Sequence, residues 1–202
     1  MQKRILKPNF IEYLCQIMLE AYNLSCRRDG RILFSDKNFS LQQGQLMEIH
    51  GPNGSGKSTL LRCLAGLYTE FKGKITAEES FYFGHKLGFS ALLTVEENIK
   101  WYSRAIGVQP DVDSLLSQVG MGGYSRVPCE NLSSGQLRRV SLTRLLLGYR
   151  PLWLLDEPQT SLDLDGRNIL NELMEKHISN EGSVVCATHL SLDIAADNTL
   201  VL

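Results

Sequence analysis

The eight residues GPNGSGKS, residues 51–58, restrict what this chain can fold into more than any other stretch. They match the pattern G-x-x-x-x-G-K-[ST], follow the apolar run QLMEIH and lead into LLRCLAGL, which reads as a compact helix ending near Gly66. The strand–loop–helix setting is what gives the pattern physical meaning. Gly51, Gly54 and Gly56 let the backbone curl so that its N–H groups turn inward onto phosphate oxygens, with Pro52, Asn53, Ser55 and Thr59 completing the loop. Lys57 then reaches the terminal phosphates and Ser58 is placed to ligate Mg²⁺. With Gly near 7% of average usage, a chance match in a chain this long stays below about one per cent. The loop is read as a nucleotide site.

A second stretch, LWLLDE, supplies what such a site lacks. Four apolar residues predict a buried strand with Asp156 at its end to hold the water shell of Mg²⁺. Glu157 follows, placed to polarise a water against the terminal phosphate. Many strands end in acids, so this run gains its meaning from the P-loop upstream.

Elsewhere, strand-like runs alternate with helical ones. Residues 19–25, ILFSDKNFSLQQG and QLMEIH read as short strands punctuated by Asp-Lys-Asn and Gln-Gln-Gly, and GKITAEESFYFGH as a strand pair. Thr94 and Glu97 form a capping box opening a helix that Gly107 stops, and DVDSLLSQVG is a second short helix. DGRNILNELMEKHISNEG is helix, SVVCATH a buried strand, and LSLDIAAD a short helix. This alternation implies an α/β domain with a largely parallel sheet. Residues 88–131, with helices and no convincing strand, read as a helical insert.

Composition narrows the class. The apolar share of 43%, charged share of 21% and net charge of -1 suit a globular protein and give no electrostatic reason to expect nucleic acid or acidic lipid as a partner. Cys15, Cys26, Cys63, Cys129 and Cys186 are odd in number and scattered, against a disulfide framework, a zinc site or a C-x-x-C-H haem attachment. No window reaches the roughly 18 consecutive apolar residues of a membrane span. Lys3, Arg4 and Lys7 precede a mildly apolar stretch that faintly suggests a signal peptide, but Glu12 interrupts it. The same stretch fits a short amphipathic helix. The simpler reading starts the domain at Met18, running to Leu202, with residues 1–17 a leader or a misassigned start.

The stretch NLSSGQLRRVSLTRLLL raises a separate question, because a Ser/Gly-rich helix start suited to an anion has no lysine of its own beside it. The P-loop, LSSGQ at residues 132–136, LLDEP, SLD at residues 161–163 and ATH ending at His189 stand in the order of the ATP-binding cassette ATPases, which the chain resembles from residue 18 to its end. The resemblance implies an α/β P-loop NTPase fold with a mostly parallel central sheet, an N-terminal antiparallel β subdomain and a helical insert. It implies that Ser133, Gly135 and Gln136 meet the γ-phosphate of ATP held by a second copy, head to tail. It further implies that Asp163 communicates across that dimer and that His189 contacts the γ-phosphate and orders the attacking water. A lone histidine is more often a satisfied structural residue, and His50 and His177 keep that reading.

Two positions depart from the family pattern. The residue matching the adenine-stacking aromatic is Arg28, whose guanidinium plane can stack on a base. The residue matching the glutamine that approaches Mg²⁺ is His85, either a contact to the metal shell or a replacement with no ligand role. Together CRRDGRILF, GHKLGFSALLTVEEN and the Pro-Leu-Trp run resemble the ATP-binding subunits of the cytochrome c maturation, or haem exporter, transporters, with Ser141, Thr143 and Gln159 in place of Ala, Ala and Phe. That implies a membrane permease and haem-maturation proteins as partners, docking near residues 85–97, and a peripheral place on the cytoplasmic face of the inner membrane. The alternatives are a cassette subunit for another cargo and a non-membrane relative acting on nucleic acid or ribosomes.

Overall fold

A computed structural model of the chain describes residues 16–189 and 192–202. The amphipathic reading of the N-terminal stretch falls largely on residues outside that range. Among the described residues, eight strands form two sheets. β1 (Ile17–Arg28), β2 (Arg31–Gln42) and β4 (Phe71–Ala77) make an antiparallel sheet in the order β2-β1-β4. β3 (Leu46–His50), β5 (Ser80–Phe83), β6 (Leu152–Asp156), β7 (Ser183–Ala187) and β8 (Asn198–Val201) make a parallel sheet in the order β5-β6-β7-β3-β8.

The parallel strands explain their own sequences. Leu152 and Leu154 face one cluster of buried side chains while Trp153 and Leu155 face another, and Val185 and Val184 divide the same way. A strand covered on both sides needs an apolar residue at every position, which is why these runs do not alternate. On one face lies α1 (Lys57–Leu64), through Leu60, Leu61 and Leu64, beneath the antiparallel sheet. The other face carries α2 (Val95–Ala105), α3 (Val112–Gln118), α4 (Ser134–Leu142) and α5 (Leu164–Ser179), through residues such as Ile99, Leu116, Val140 and Met174.

Between β5 and β6, residues 88–131 hold α2, α3, a 3-10 turn at Cys129–Asn131 and a single isolated bridge between Thr94 and Pro128. The expected capping box is formed: Thr94 Oγ1 accepts from Glu97 N at 3.3 Å and Glu97 Oε2 accepts from Thr94 N at 2.8 Å.

Three expectations need correction. First, β2 runs unbroken through Asp-Lys-Asn, because polar side chains tie this stretch to β1. The Asp36 N–H donates to Ser25 Oγ, and Asn38 Oδ1 accepts from Asn23 N. Second, GKITAEESFYFGH yields two strands that do not pair, β4 joining the antiparallel sheet and β5 the parallel one. Third, the short helix expected over LSLDIAAD is absent from residues 192–197, its remaining residues lying outside the described range. That segment gives its backbone to β3 instead: Asp197 N donates to Leu46 O and Leu192 N to Glu48 Oε1, while Asp197 Oδ2 accepts from Leu46 N.

Candidate nucleotide and hydrolytic site

The loop between β3 and α1 has the conformation its glycines foretell. Gly51, Gly54 and Gly56 take positive φ. At Gly56 a Cβ would fall 2.9 Å from that of Leu33, and at Gly51 2.8 Å from the Leu202 carbonyl oxygen. Lys57 is buried, and its Nζ donates to Gly51 O at 2.7 Å and Pro52 O at 3.2 Å, drawing the loop around the cation. Ser55 Oγ is buried and has no hydrogen-bond partner among the described residues, a polar atom of the loop that a phosphate oxygen would satisfy.

Asp156 closes the site from β6. Its Oδ1 accepts from Ser58 Oγ at 2.9 Å and its Oδ2 from Tyr82 OH at 3.0 Å, so both carboxylate oxygens are held. Tyr82 also accepts from Arg62 Nε at 3.3 Å, and burial pushes its phenol pKa up. Sequence reasoning missed Tyr82, since its approach to Asp156 depends on β5 pairing beside β6.

Glu157 adopts φ +50, uncommon for a residue with a Cβ, and its N–H donates to Ala187 O at 2.8 Å. Its Oε1 lies 3.0 Å from His189 Nε2, and Lys57 Nζ lies 3.2 Å from the same nitrogen. With its proton on Nε2 the imidazole donates to the Glu157 carboxylate; with the proton on Nδ1, Nε2 accepts the third N–H of Lys57. Lys57, Ser58, Asp156, Glu157 and His189 thus converge on one end of the parallel sheet. Of these, Lys57, Ser58 and Glu157 line a cavity of about 570 Å³ that extends past Leu33 to Arg28, Asp29 and Arg31 at the β1–β2 turn.

Ser133, Gly135 and Gln136 do not line that cavity. They form the start of α4, where a second capping box binds Gln136 N to Ser133 Oγ at 3.2 Å and Ser133 N to Gln136 Oε1 at 2.9 Å. At Gly135 a Cβ would stand 3.0 Å from the Ser161 carbonyl oxygen, so this helix start sits tight against the turn leading to Asp163. Asp163 caps α5 by accepting from Gly166 N at 3.0 Å. It also takes a two-pronged ion pair from Arg139, whose hydrogen bonds hold its carboxyl below the usual range.

His85 is exposed, and among the described residues its ring meets neither Ser58 nor Asp156 through a hydrogen bond. Its carbonyl accepts from Arg138 at 3.4 Å. His50 bonds to buried Glu48 at 2.6 Å, and His177 stacks on Trp153 at 3.9 Å, both structural settings. No helix among the described residues is long and apolar enough to cross a membrane.

A P-loop, a strand-end acid pair and a separate capped Ser-Gly helix start on one α/β scaffold define an ATP-binding cassette ATPase. The chain belongs to the ABC transporter family, whose profile matches residues 34–160. It is similar to the cytochrome c biogenesis ATP-binding export protein CcmA of Hahella chejuensis, 40% identical over 89% of this chain and 92% of that protein. The protein of the same name from Yersinia pestis is 39% identical over 90% of each. Among solved structures, a Pyrococcus furiosus chain described as an ABC transporter ATP-binding protein superposes with a TM-score of 0.80 at 23% identity, covering 91% of this chain and 96% of that one. An ATP-binding subunit of an ABC transporter gives 0.76 at 23% identity, covering 86% of this chain and 80% of that one. At that identity the likeness is one of fold.

Proposed function

We propose that this chain is the ATP-binding, ATP-hydrolysing subunit of a haem export system in cytochrome c biogenesis. Its partners are a second copy of itself, an integral membrane permease and haem-maturation proteins, and it sits peripherally on the cytoplasmic face of the inner membrane. The observation that carries the activity is the convergence of Lys57, Glu157 and His189 within 3.2 Å steps beside the phosphate loop. The cargo follows from the similarity to cytochrome c biogenesis export proteins over nine-tenths of the chain.

In this reading the curled loop from Gly51 to Thr59 binds the phosphates, and Arg28 covers the base. Lys57 exchanges its carbonyl partners for γ-phosphate oxygens. Glu157 holds the attacking water and accepts its proton, oriented by His189 Nε2–H. Ser58 and Asp156, both oxygen donors suited to a hard cation, would hold Mg²⁺, which supplies charge neutralisation for the phosphates; His85 stands near the permease-facing segment, residues 85–97. The Ser133–Gly135–Gln136 helix start lies outside the cavity, so it serves the nucleotide of the opposite copy, with Asp163 beside it. Domain bounds of 18–202, with the insert at 88–131, accompany this assignment.

Cells deleted for this chain should lose haem-loaded c-type cytochromes, judged by haem staining, and regain them with the wild-type chain but not with Lys57→Ala. Undiminished cytochrome c in the deletion strain would exclude the cargo assignment while leaving the ATPase intact.

A further inference from the structure

Arg138 is a buried cation with an unusual set of partners. Its Nη2 donates to the Glu157 carbonyl at 2.6 Å, its Nε to the Pro158 carbonyl at 3.1 Å and its Nη1 to the His85 carbonyl at 3.4 Å. The guanidinium lies over the Phe83 ring, 4.7 Å from its centre. No carboxylate forms a salt bridge with it among the described residues. Burying a guanidinium on neutral partners is costly, and here burial drives its pKa down to about 10. A buried charge spent on three backbone carbonyls fixes those three peptides in space.

What it fixes matters. Glu157 has the sparsely populated φ of +50, which of itself favours relaxation. Its N–H is tied to Ala187, and its carbonyl to Arg138, so the peptides on both sides are held and the side chain leaves the backbone in one direction, toward His189. The same guanidinium reaches the loop after β5 through His85, and its Cα belongs to α4, the helix that Ser133 begins.

We propose that Arg138 is a positioning residue for hydrolysis: it sets the backbone of Glu157 and joins it mechanically to the His85 loop and to the Ser133 helix. The inference rests on Glu157 as the base that activates water. A displacement of either the His85 loop or α4 then changes the aim of the Glu157 carboxylate through a single side chain. Arg138 bonds to no residue of the phosphate loop and does not itself line the cavity, reaching it only through the Glu157 backbone, so its loss acts on turnover and not on binding.

The test compares Arg138→Met, Arg138→Lys and Glu157→Gln in the full chain, reading ATP affinity by titration, kcat, KM and thermal midpoint. Arg138→Met keeps the packing over Phe83 and removes every donor. Its kcat should fall roughly 10²-fold, the scale of a misplaced reacting group, with ATP affinity and KM within threefold of wild type. Arg138→Lys, able to reach one or two carbonyls, should recover part of kcat. If Arg138→Met does not fold, Arg138→Lys alone decides: a lowered kcat at unchanged ATP affinity supports the role. Equal losses in affinity and kcat, or a wild-type kcat in either variant, overturn it. Full turnover by Glu157→Gln would instead remove the base assignment; a Glu157→Gln enzyme that is dead beside an Arg138→Met enzyme that is fully active defeats only the positioning role.

Discussion

Lys57 Nζ and Glu157 Oε1 both approach His189 Nε2, at 3.2 and 3.0 Å, and the function proposed above gives the first a charge role and the second proton transfer. Lys57 makes two charge-assisted bonds to its own loop, so a phosphate must outbid carbonyls already in place. Lys57→Ala should weaken ATP binding by about 2 kcal/mol, some 30-fold in Kd, by the usual worth of a hydrogen bond to a charged group; titration with ATP measures it. Glu157→Gln keeps the shape and loses the proton acceptor. It should bind ATP at wild-type affinity and turn over roughly 10²–10⁴-fold more slowly, as phosphate release under saturating ATP would record. Lys57 and the acids ending β6 were legible as candidates in the sequence, because a glycine loop before Lys57 gives meaning to acids after a downstream apolar strand; their roles are those proposed above. Tyr82, Arg138 and Arg139 were not legible. Each meets its partner across elements distant in the chain, Tyr82 to Asp156 and Arg139 to Asp163, and neither a tyrosine in a strand nor a pair of arginines in a helix announces a target.

At the level of elements, the packing of α5 on β6 carries a pH dependence. His177 stacks parallel to Trp153, is buried, and leaves no room at Gly182, where a Cβ would come within 2.2 Å of its Nε2. Burial lowers its pKa from 6.5 to about 4. The unfolded chain therefore binds this proton between pH 6.5 and about 4 while the folded chain does not. Stability contributed by neutral His177 is complete above the unfolded value and declines as pH falls through that window, by on the order of 3 kcal/mol in total. Urea unfolding at several pH values should show this slope in the wild type and a flatter one in His177→Gln. The elements that could be read in advance were those whose local chemistry decides them: the Thr94 capping box and the apolar runs of the fully buried strands β6 and β7. Those misread were settled by tertiary bonds. Residues 192–197 follow β3 rather than helical propensity, and β4 and β5 part company because each finds its hydrogen-bonding edge in a different sheet.

For the whole molecule, the separation of the Ser133 helix start from the cavity supports the composite site proposed above. Mixing inactive Lys57→Ala chains with inactive Ser133→Arg chains should restore one working site per heterodimer. Equal mixing yields about a quarter of the wild-type rate if sites act independently. No recovery in folded, dimeric mixtures would show that each chain completes its own site.

The two sheets, finally, are stitched together by very short crossings: three residues from β2 to β3 and two from β4 to β5, with Lys37 Nζ reaching the Val201 carbonyl at 2.9 Å as a further tie. Such stitching leaves little slack for the β1–β2 turn to swing relative to the phosphate loop. Arg28 and Lys57 are therefore the two ends of a gauge of nearly fixed length. With Arg28 on the base and Lys57 on the phosphates, as proposed above, a nucleotide would have to span that gauge as presented, and selection among nucleotides would become a matter of reach as much as of contact.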